Sequence, residues 1–398
     1  MKTKRPQDRL IFMVSLLSVS LFLMIAPQIS SALPLMYSAF PGVSAAGVQM
    51  LSTVPNFGIV LGLVVSPFLV QLMRQKSTML VGLLITLVAG VFPMFSGAYT
   101  PILVSRFLLG FGIGLFNSLA YSLIPEFYGD DEEKLATMVG IQNVMPSVGG
   151  AIASFLVSYL VTISWHAAFA IYFLVVPALI MFLLFVPLKG RETHVDQAAA
   201  AAKPKEKQSI NGKVILIASL MFCIYIFYMP ISYELPSLIV SGKFGTASTA
   251  AIVAGFSTLI SIPIGAAFGY FFKKMHDLVF PLGFVLATLG FLIISLATNL
   301  VVLYAGVIVL GFGFGMANPY MYNWLDWSAP QNSVNLATTI VLVLVNVGCA
   351  ISPTVVDTLA QWVHLGSPRG IMILSTIAYV IITIYACVHY LNVHKQRN

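Results

Sequence analysis

Charge is scarce in this sequence. Asp, Glu, Lys and Arg make up 8% of its 398 residues, where a soluble domain carries about 25%. Too few charges remain to coat a water-facing surface, which excludes a cytosolic enzyme, a nucleic-acid binder and a disordered scaffold. Cysteine is nearly absent. Cys223, Cys349 and Cys387 each fall inside an apolar run, and an odd number at those spacings frames neither a disulfide set nor a metal site. Catalytic constellations are missing as well. His166, His276, His364 and His394 lie at loop or terminal positions, His194 falls in a polar tether and His389 ends the last apolar run. No Ser-His-Asp set, metal cluster or nucleotide loop can be assembled from them. The expectation is no enzyme activity, no metal and no cofactor, with an ion gradient rather than ATP as the source of energy.

Hydrophobic length is what the chain has in abundance. Hydrophobic residues are 59% of it and the mean hydropathy is +0.95. Apolar runs fall at 10–38, 46–72, 78–97, 100–125, 135–160 and 166–187, then at 212–237, 247–272, 278–297, 300–325, 334–358 and 369–392. A membrane helix needs about 20 such residues, and backbone groups in hydrocarbon must be bonded within their own segment. Each run therefore reads as a helix, giving an all-α membrane protein of twelve transmembrane helices in two pseudo-symmetric six-helix bundles.

Basic residues orient the chain. With both termini on the inside, 17 of the 20 Lys and Arg face inward, Lys243 and Arg369 face outward, and Arg106 lies within a span. That bias predicts cytoplasmic N- and C-termini in a cell (inner) membrane. The net charge of +7 then marks anchoring to anionic lipid heads of the bilayer, not nucleic-acid binding.

One stretch breaks the rhythm. Residues 188–211 hold Glu192, Asp196, an alanine run and Lys203-Pro204-Lys205-Glu206-Lys207, too polar to insert. They read as a cytoplasmic linker between an N-terminal bundle, 1–187, and a C-terminal bundle, 212–398. An internal repeat supports the division. Leu109-Gly110-Phe111-Gly112 and Gly114 recur 201 residues on as Leu310-Gly311-Phe312-Gly313 and Gly315, Asn117 recurs as Asn318 and Tyr121 as Tyr322. Ile29-Ser30-Ser31-Ala32-Leu33-Pro34 returns as Ile231-Ser232-Tyr233-Glu234-Leu235-Pro236. Duplicated bundles mark alternating-access carriers, whose site lies between the halves.

These features resemble the major facilitator superfamily along the whole chain. Arg106-Phe-Leu-Leu-Gly110-Phe-Gly112-Ile-Gly114 resembles the span-4 RxxxGxG signature of its proton-coupled members. Met145-Pro146-Ser147-Val148-Gly149-Gly150 is similar to the span-5 GPxxGG of drug–proton antiporters, and Trp165-His-Ala-Ala-Phe169 to the WRxxF that opens their span 6. The 12-span antiporter subgroup is thus suspected, although Met145 replaces a glycine and the loop at Gln71, Arg74 and Lys76 departs from GxLADRxGRR. The resemblance implies a major facilitator fold and a span-4 arginine in the proton relay.

Site candidates follow from cost. A charge inside a span is expensive and usually functional, which singles out Arg106 for coupling or substrate binding. Glu234 is the best placed carboxyl for titration and the second coupling candidate. Gly110, Gly112, Gly114, Gly311, Gly313 and Gly315 suit close helix approach or bending, as do Pro146, Gly149 and Gly150. Substrate contacts are expected from amides in apolar helices, Gln28, Asn117, Gln142, Asn143, Asn318, Asn323 and Asn346, and from the rings of Tyr121, Tyr225, Tyr228, Tyr322 and Trp324. Asp357 is placed at the outer end of span 11. The preferred function is proton-coupled export of a small apolar, aromatic or amphipathic compound by a monomer. Uptake of a small organic anion or nutrient is the alternative, and a non-transporting membrane sensor the third.

Overall fold

Prolines and left-handed backbone turns, more than loops, divide this all-helical chain. A computed structural model describes residues 9–186 and 209–397; most of the predicted linker and the first eight residues lie outside them. Helix α1 is a bent pair, Leu10–Phe22 and Ala26–Ala39, with 51° between its halves. The bend falls where Pro27 removes a donor and the chain tightens to 3₁₀ geometry over Val19–Phe22 and Ala26–Ala32. A 50-residue helical stretch, Ala45–Met94, follows. It reverses at Arg74, whose φ of 70° and ψ of 161° are not helical, so α2 is 45–73 and α3 is 75–94. Helices α4 (Tyr99–Tyr128), α5 (Glu132–Leu160) and α6 (Ala167–Phe185) complete the first half.

The second half repeats the plan. Helix α7 (Gly212–Ser241) is interrupted at Pro230 and Pro236. Helices α8 (Ala247–Met275) and α9 (Val279–Leu296) reverse at His276, with φ 46°, the counterpart of Arg74. Then come α10 (Leu300–Ser328), α11 (Val334–Trp362) and α12 (Pro368–Arg397). The twelve crossings agree with the apolar runs, and no strand occurs among the described residues. An even count leaves the ends at residues 9, 185, 212 and 397 on one side, here the terminal side; the opposite side is the far side.

Glycine sets the packing inside each half. A Cβ on Gly112 of α4 would meet the Gly82 carbonyl of α3 at 2.6 Å, and one on Gly313 would meet the Gly283 carbonyl of α9 at 2.5 Å. These two are equivalent positions of the repeat. Gly110 and Gly114 lie against the α2 backbone at Pro55 and at Ile59 and Gly62. Their repeats differ: Gly315 meets only the Ile264 side chain, and Gly311 has open space around it. The expected packing role of Gly311 is thereby corrected, because α10 does not approach α8 as closely as α4 approaches α2.

Buried apolar side chains form two large cores. One runs from Phe12 to Val186 and takes in Tyr233, Ala247 and Ala251; the other runs from Val214 to Ala386. Between the halves, α5 meets α8 and α11 meets α2. The ring of Phe155 packs on Gly255 and edge-on to Phe256, 5.5 Å between centroids. The Thr53 hydroxyl donates to the Ala350 carbonyl at 3.3 Å. These contacts lie in the far half of the membrane. Toward the terminal side, Gly140 of α5 and Gly265 and Gly269 of α8 have nothing within 4 Å of an added Cβ.

Candidate functional site

Arg106 is wholly buried, at 0% exposure. Its Nε donates to the Leu51 carbonyl at 2.8 Å, one Nη to the Ala26 carbonyl at 2.6 Å and the other to the Tyr172 hydroxyl at 2.5 Å. Leu51 precedes Pro55 by four residues, so its carbonyl has no helical donor. The guanidinium carbon also lies 5.5 Å from the Tyr172 ring centroid and 5.7 Å from that of Phe169, within cation–π reach. None of its three hydrogen-bond partners is an acid. Arg106 is sealed inside the first half, tying α4 to α1, α2 and α6. Its repeat position in α10 is Val307, also buried.

Glu234 is also buried, at 2% exposure, but it sits between the halves. The breaks in α7 place it at the joint between Pro230–Tyr233 and Leu235–Ser241. Gln49 of α2 donates its Nε2 to Glu234 Oε1 at 2.5 Å and reaches the Tyr37 hydroxyl of α1 at 3.2 Å. Next to Glu234, Tyr233 shares a 3.1 Å bond with the Ser352 hydroxyl of α11. Ser352 in turn donates at 2.5 Å to the carbonyl of Ile226, another acceptor left open four residues before a proline. Asp357 of α11, 7% exposed, is close enough to Glu234 for their charges to interact. Neither acid has a Lys or Arg partner among the described residues.

The second half supplies the aromatic candidates. Tyr225 donates to Asn318 Oδ1 at 3.1 Å, and Phe314 joins it to Tyr228, stacked at 3.9 Å. This group links α7 to α10 about two turns from Glu234 along α7. Tyr322 and Asn323 are half-buried on α10, while Tyr121 and Asn143 are exposed. Asn117 is half-buried.

Several expected substrate contacts are otherwise engaged. Gln28 donates to the Met24 carbonyl at 2.9 Å and accepts from Ser154 at 2.5 Å. Gln142, 1% exposed, donates to the Ala120 carbonyl at 2.7 Å. Asn346 bonds Leu342 of its own helix at 2.8 Å. Trp324 packs between His389, 4.3 Å away, and Phe280, 5.7 Å away. The polar atoms of Gln28 and Gln142 and the ring of Trp324, expected to contact substrate, are engaged in helix packing in this conformation. Gly149 lies against the α1 backbone at Leu21, Gly150 beside the Gln28 amide at 3.1 Å, and Pro146 is buried in α5.

Gln49, Tyr37, Ser237 and Tyr172 were not among the sequence candidates. Gln49 carried the same signal as Gln28 and Gln142, an amide in an apolar helix, and was legible by that rule. Tyr172 looks like any core aromatic until Arg106 is seen beside it.

Twelve helices in two repeated halves, meeting at a polar seam, define a polytopic α-helical membrane transporter. Residues 10–353 match the profile of the Major Facilitator Superfamily, and the chain belongs to that family. It is a transporter, not an enzyme. It is 23% identical over 226 residues to a probable nitrate transporter, NarT, of Staphylococcus epidermidis. That match covers 56% of each chain, so the chain spans about half the length of this relative. Among solved structures it is similar to a POT family transporter in complex with 5-aminolevulinic acid, with a TM-score of 0.75, 14% identity and 96% of both chains covered. It is also similar to the nucleoside transporter NupG, with a TM-score of 0.75, 12% identity, and 96% and 99% covered. A D-xylose–proton symporter gives a TM-score of 0.72, 14% identity, and 94% and 96% covered. These structural likenesses establish the fold.

Proposed function

We propose that this protein is a proton-coupled secondary transporter that takes up a small uncharged organic nutrient by alternating access. Its working parts are the bundles 1–187 and 212–398, joined by the linker 188–211, with the terminal side in the cytoplasm as the Lys and Arg bias indicates. In the conformation described, the halves touch in the far half through the Thr53–Ala350 bond and the Phe155–Gly255 contact.

One observation carries the reading. Glu234 is a buried carboxyl whose hydrogen-bond partner, Gln49, belongs to the opposite half. A proton on Glu234 lets the acid enter that seam without an uncompensated charge. Loss of the proton opposes closure. Protonation thus biases one of two global states.

The substrate class follows from what surrounds the cleft. An anion needs a cation, and Arg106 is sealed within the first half, where each of its three side-chain nitrogens already donates. The nitrate named for the relative is therefore not carried over. Tyr225, Tyr228, Phe314 and Asn318 instead offer stacking faces and neutral hydrogen-bonding groups. Glu234 and this aromatic group are separate positions on α7, so proton and solute can be held together, which favours symport. Export with proton antiport is the second reading, supported by the close seating of Gly149 on Leu21 in the antiporter-like Pro146-to-Gly150 segment.

Proteoliposomes with an imposed pH gradient and labelled sugars, nucleosides and amphipathic amines test this. Accumulation of a neutral solute down the proton gradient is expected, lost in Glu234→Gln while solute exchange at equal pH persists. Solute moving against the proton flow would overturn symport. Normal accumulation by Glu234→Gln would overturn the coupling role.

A further inference from the structure

The seam around Glu234 holds more oxygen than its hydrogen bonds use. Gln49 Oε1, Ser237 Oγ and Asp357 Oδ1 are each buried without a partner, on side chains 1%, 8% and 7% exposed. One belongs to a side chain that touches Glu234 and the other two to side chains in its neighbourhood. Gln49 bonds it directly, Asp357 feels its charge, and Ser237, one turn on along α7, lies beside the Tyr37 hydroxyl without a well-formed bond. Elsewhere in the molecule, buried polar side chains largely find carbonyls or hydroxyls, as Arg106 and Gln142 do. Leaving a buried polar group unanswered is costly, and three such atoms, one of them on Asp357 itself, point to something that answers them together.

Among the described residues, no N–H or O–H of the protein meets the lone pairs of these open atoms. A positive ion can. Hard cations take oxygen ligands from carboxylates, amides and hydroxyls. No group of three acidic, histidine or cysteine side chains suited to a metal occurs among the described residues. With one of the two carboxyls protonated, the set carries a single negative charge beside neutral oxygens and balances a single positive ion.

We infer that Glu234, Asp357, Gln49, Ser237 and Tyr37 form a binding site for a small monovalent cation, sodium, that competes with the proton for Glu234. The site is built from both halves: Tyr37 and Gln49 from the first, Glu234, Ser237 and Asp357 from the second. Ion binding therefore fastens the far side shut. The titratable or charged groups facing Glu234 are Asp357, Tyr37 and Tyr233, none of which repels a cation. This inference rests on the reading of Glu234 as the coupling carboxyl and extends it to a second ion.

Equilibrium binding of radioactive sodium to the purified full-length protein in detergent tests it, with no transport required. At alkaline pH one sodium per chain is expected, displaced by lithium and by mild acid but not by potassium at equal concentration. Retention should fall about tenfold in Ser237→Ala, a loss of about 1.4 kcal/mol, and vanish in Glu234→Gln, with each variant's melting transition checked for folding. No retained sodium in the folded wild type would overturn the site, leaving water to satisfy the oxygens. Retention unchanged in both variants, or displacement by equimolar calcium, would overturn it equally. Failure of the proton reading is separate: it appears as unaltered pH-driven flux in Glu234→Gln.

Discussion

Arg106 donates to the one carbonyl of α2 that Pro55 deprives of its helical partner, that of Leu51, at 2.8 Å. A proline in one helix thus creates the acceptor that a charge in another helix needs. Ser352 and Ile226 repeat the device in the second half, where Pro230 opens the carbonyl and a hydroxyl fills it at 2.5 Å.

The arginine is consequently a structural tie before anything else. Arg106→Ala leaves the Leu51 and Ala26 carbonyls and the Tyr172 hydroxyl without donors, at about 1–3 kcal/mol each. A total loss of about 3 kcal/mol or more is expected, read as a lower melting transition and poorer recovery in size-exclusion chromatography. Arg106→Lys should rescue little, because a single ammonium does not reproduce three directed N–H bonds. Normal melting with abolished flux would instead return Arg106 to a coupling role.

Far-side closure can be trapped. The Thr354 hydroxyl of α11 lies 4.0 Å from the Met50 sulfur of α2. In a background lacking Cys223, Cys349 and Cys387, Met50→Cys with Thr354→Cys should cross-link under mild oxidation and stop transport, with reduction restoring it. Full activity of the cross-linked protein would show that the far side need not open.

Glycine substitutions should divide by position. Gly110→Ala and Gly313→Ala drive a methyl into backbone, and overpacking of this kind costs about 1–3 kcal/mol. Gly311→Ala meets open space and gains helix propensity, up to about 1 kcal/mol. Thermal melting of the three variants in the same detergent separates them.

The aromatic group is tested most directly through KM. Tyr225→Phe keeps the ring and removes the bond to Asn318 Oδ1, worth about 1 kcal/mol. A several-fold rise in KM for the transported solute is expected, with exchange otherwise intact.

A pH effect on stability is expected at the start of α5. Asp131 caps this helix by accepting from the Lys134 backbone N–H at 3.1 Å, which holds its carboxyl below the usual range. A carboxyl lowered on folding stabilises above its unfolded value and loses that contribution as pH falls through the folded one. Asp131→Asn should therefore flatten the acid limb of the melting-temperature profile, a small effect for an exposed group.

Much of the fold was legible because hydrocarbon leaves so few choices. Long apolar runs had to be helices, and the repeat from Leu109 to Leu310 placed α4 opposite α10. The reversals at Arg74 and His276 fall in the gaps between the runs 46–72 and 78–97 and between 247–272 and 278–297, but the left-handed backbone that makes each turn at a single non-glycine residue was not legible. The site was read less well. Glu234 stands out by its mismatch with Ala32 in the repeat, whereas nothing in the sequence shows that carbonyls and a tyrosine on other helices satisfy Arg106. Asp357 was placed correctly along α11, but its neighbourhood with Glu234 depends on how two halves meet, which local pattern does not encode.

The seating of the Phe155 ring on Gly255 carries a mechanical consequence. A ring edge resting on a residue without a side chain can roll through a change of angle with no hydrogen bond to break. It acts as a fulcrum of nearly constant energy, while the polar seam farther along the lever absorbs the cost of opening. A methyl on Gly255 would meet the ring at 3.1 Å, so it is the bare backbone at this point that leaves the ring room to turn.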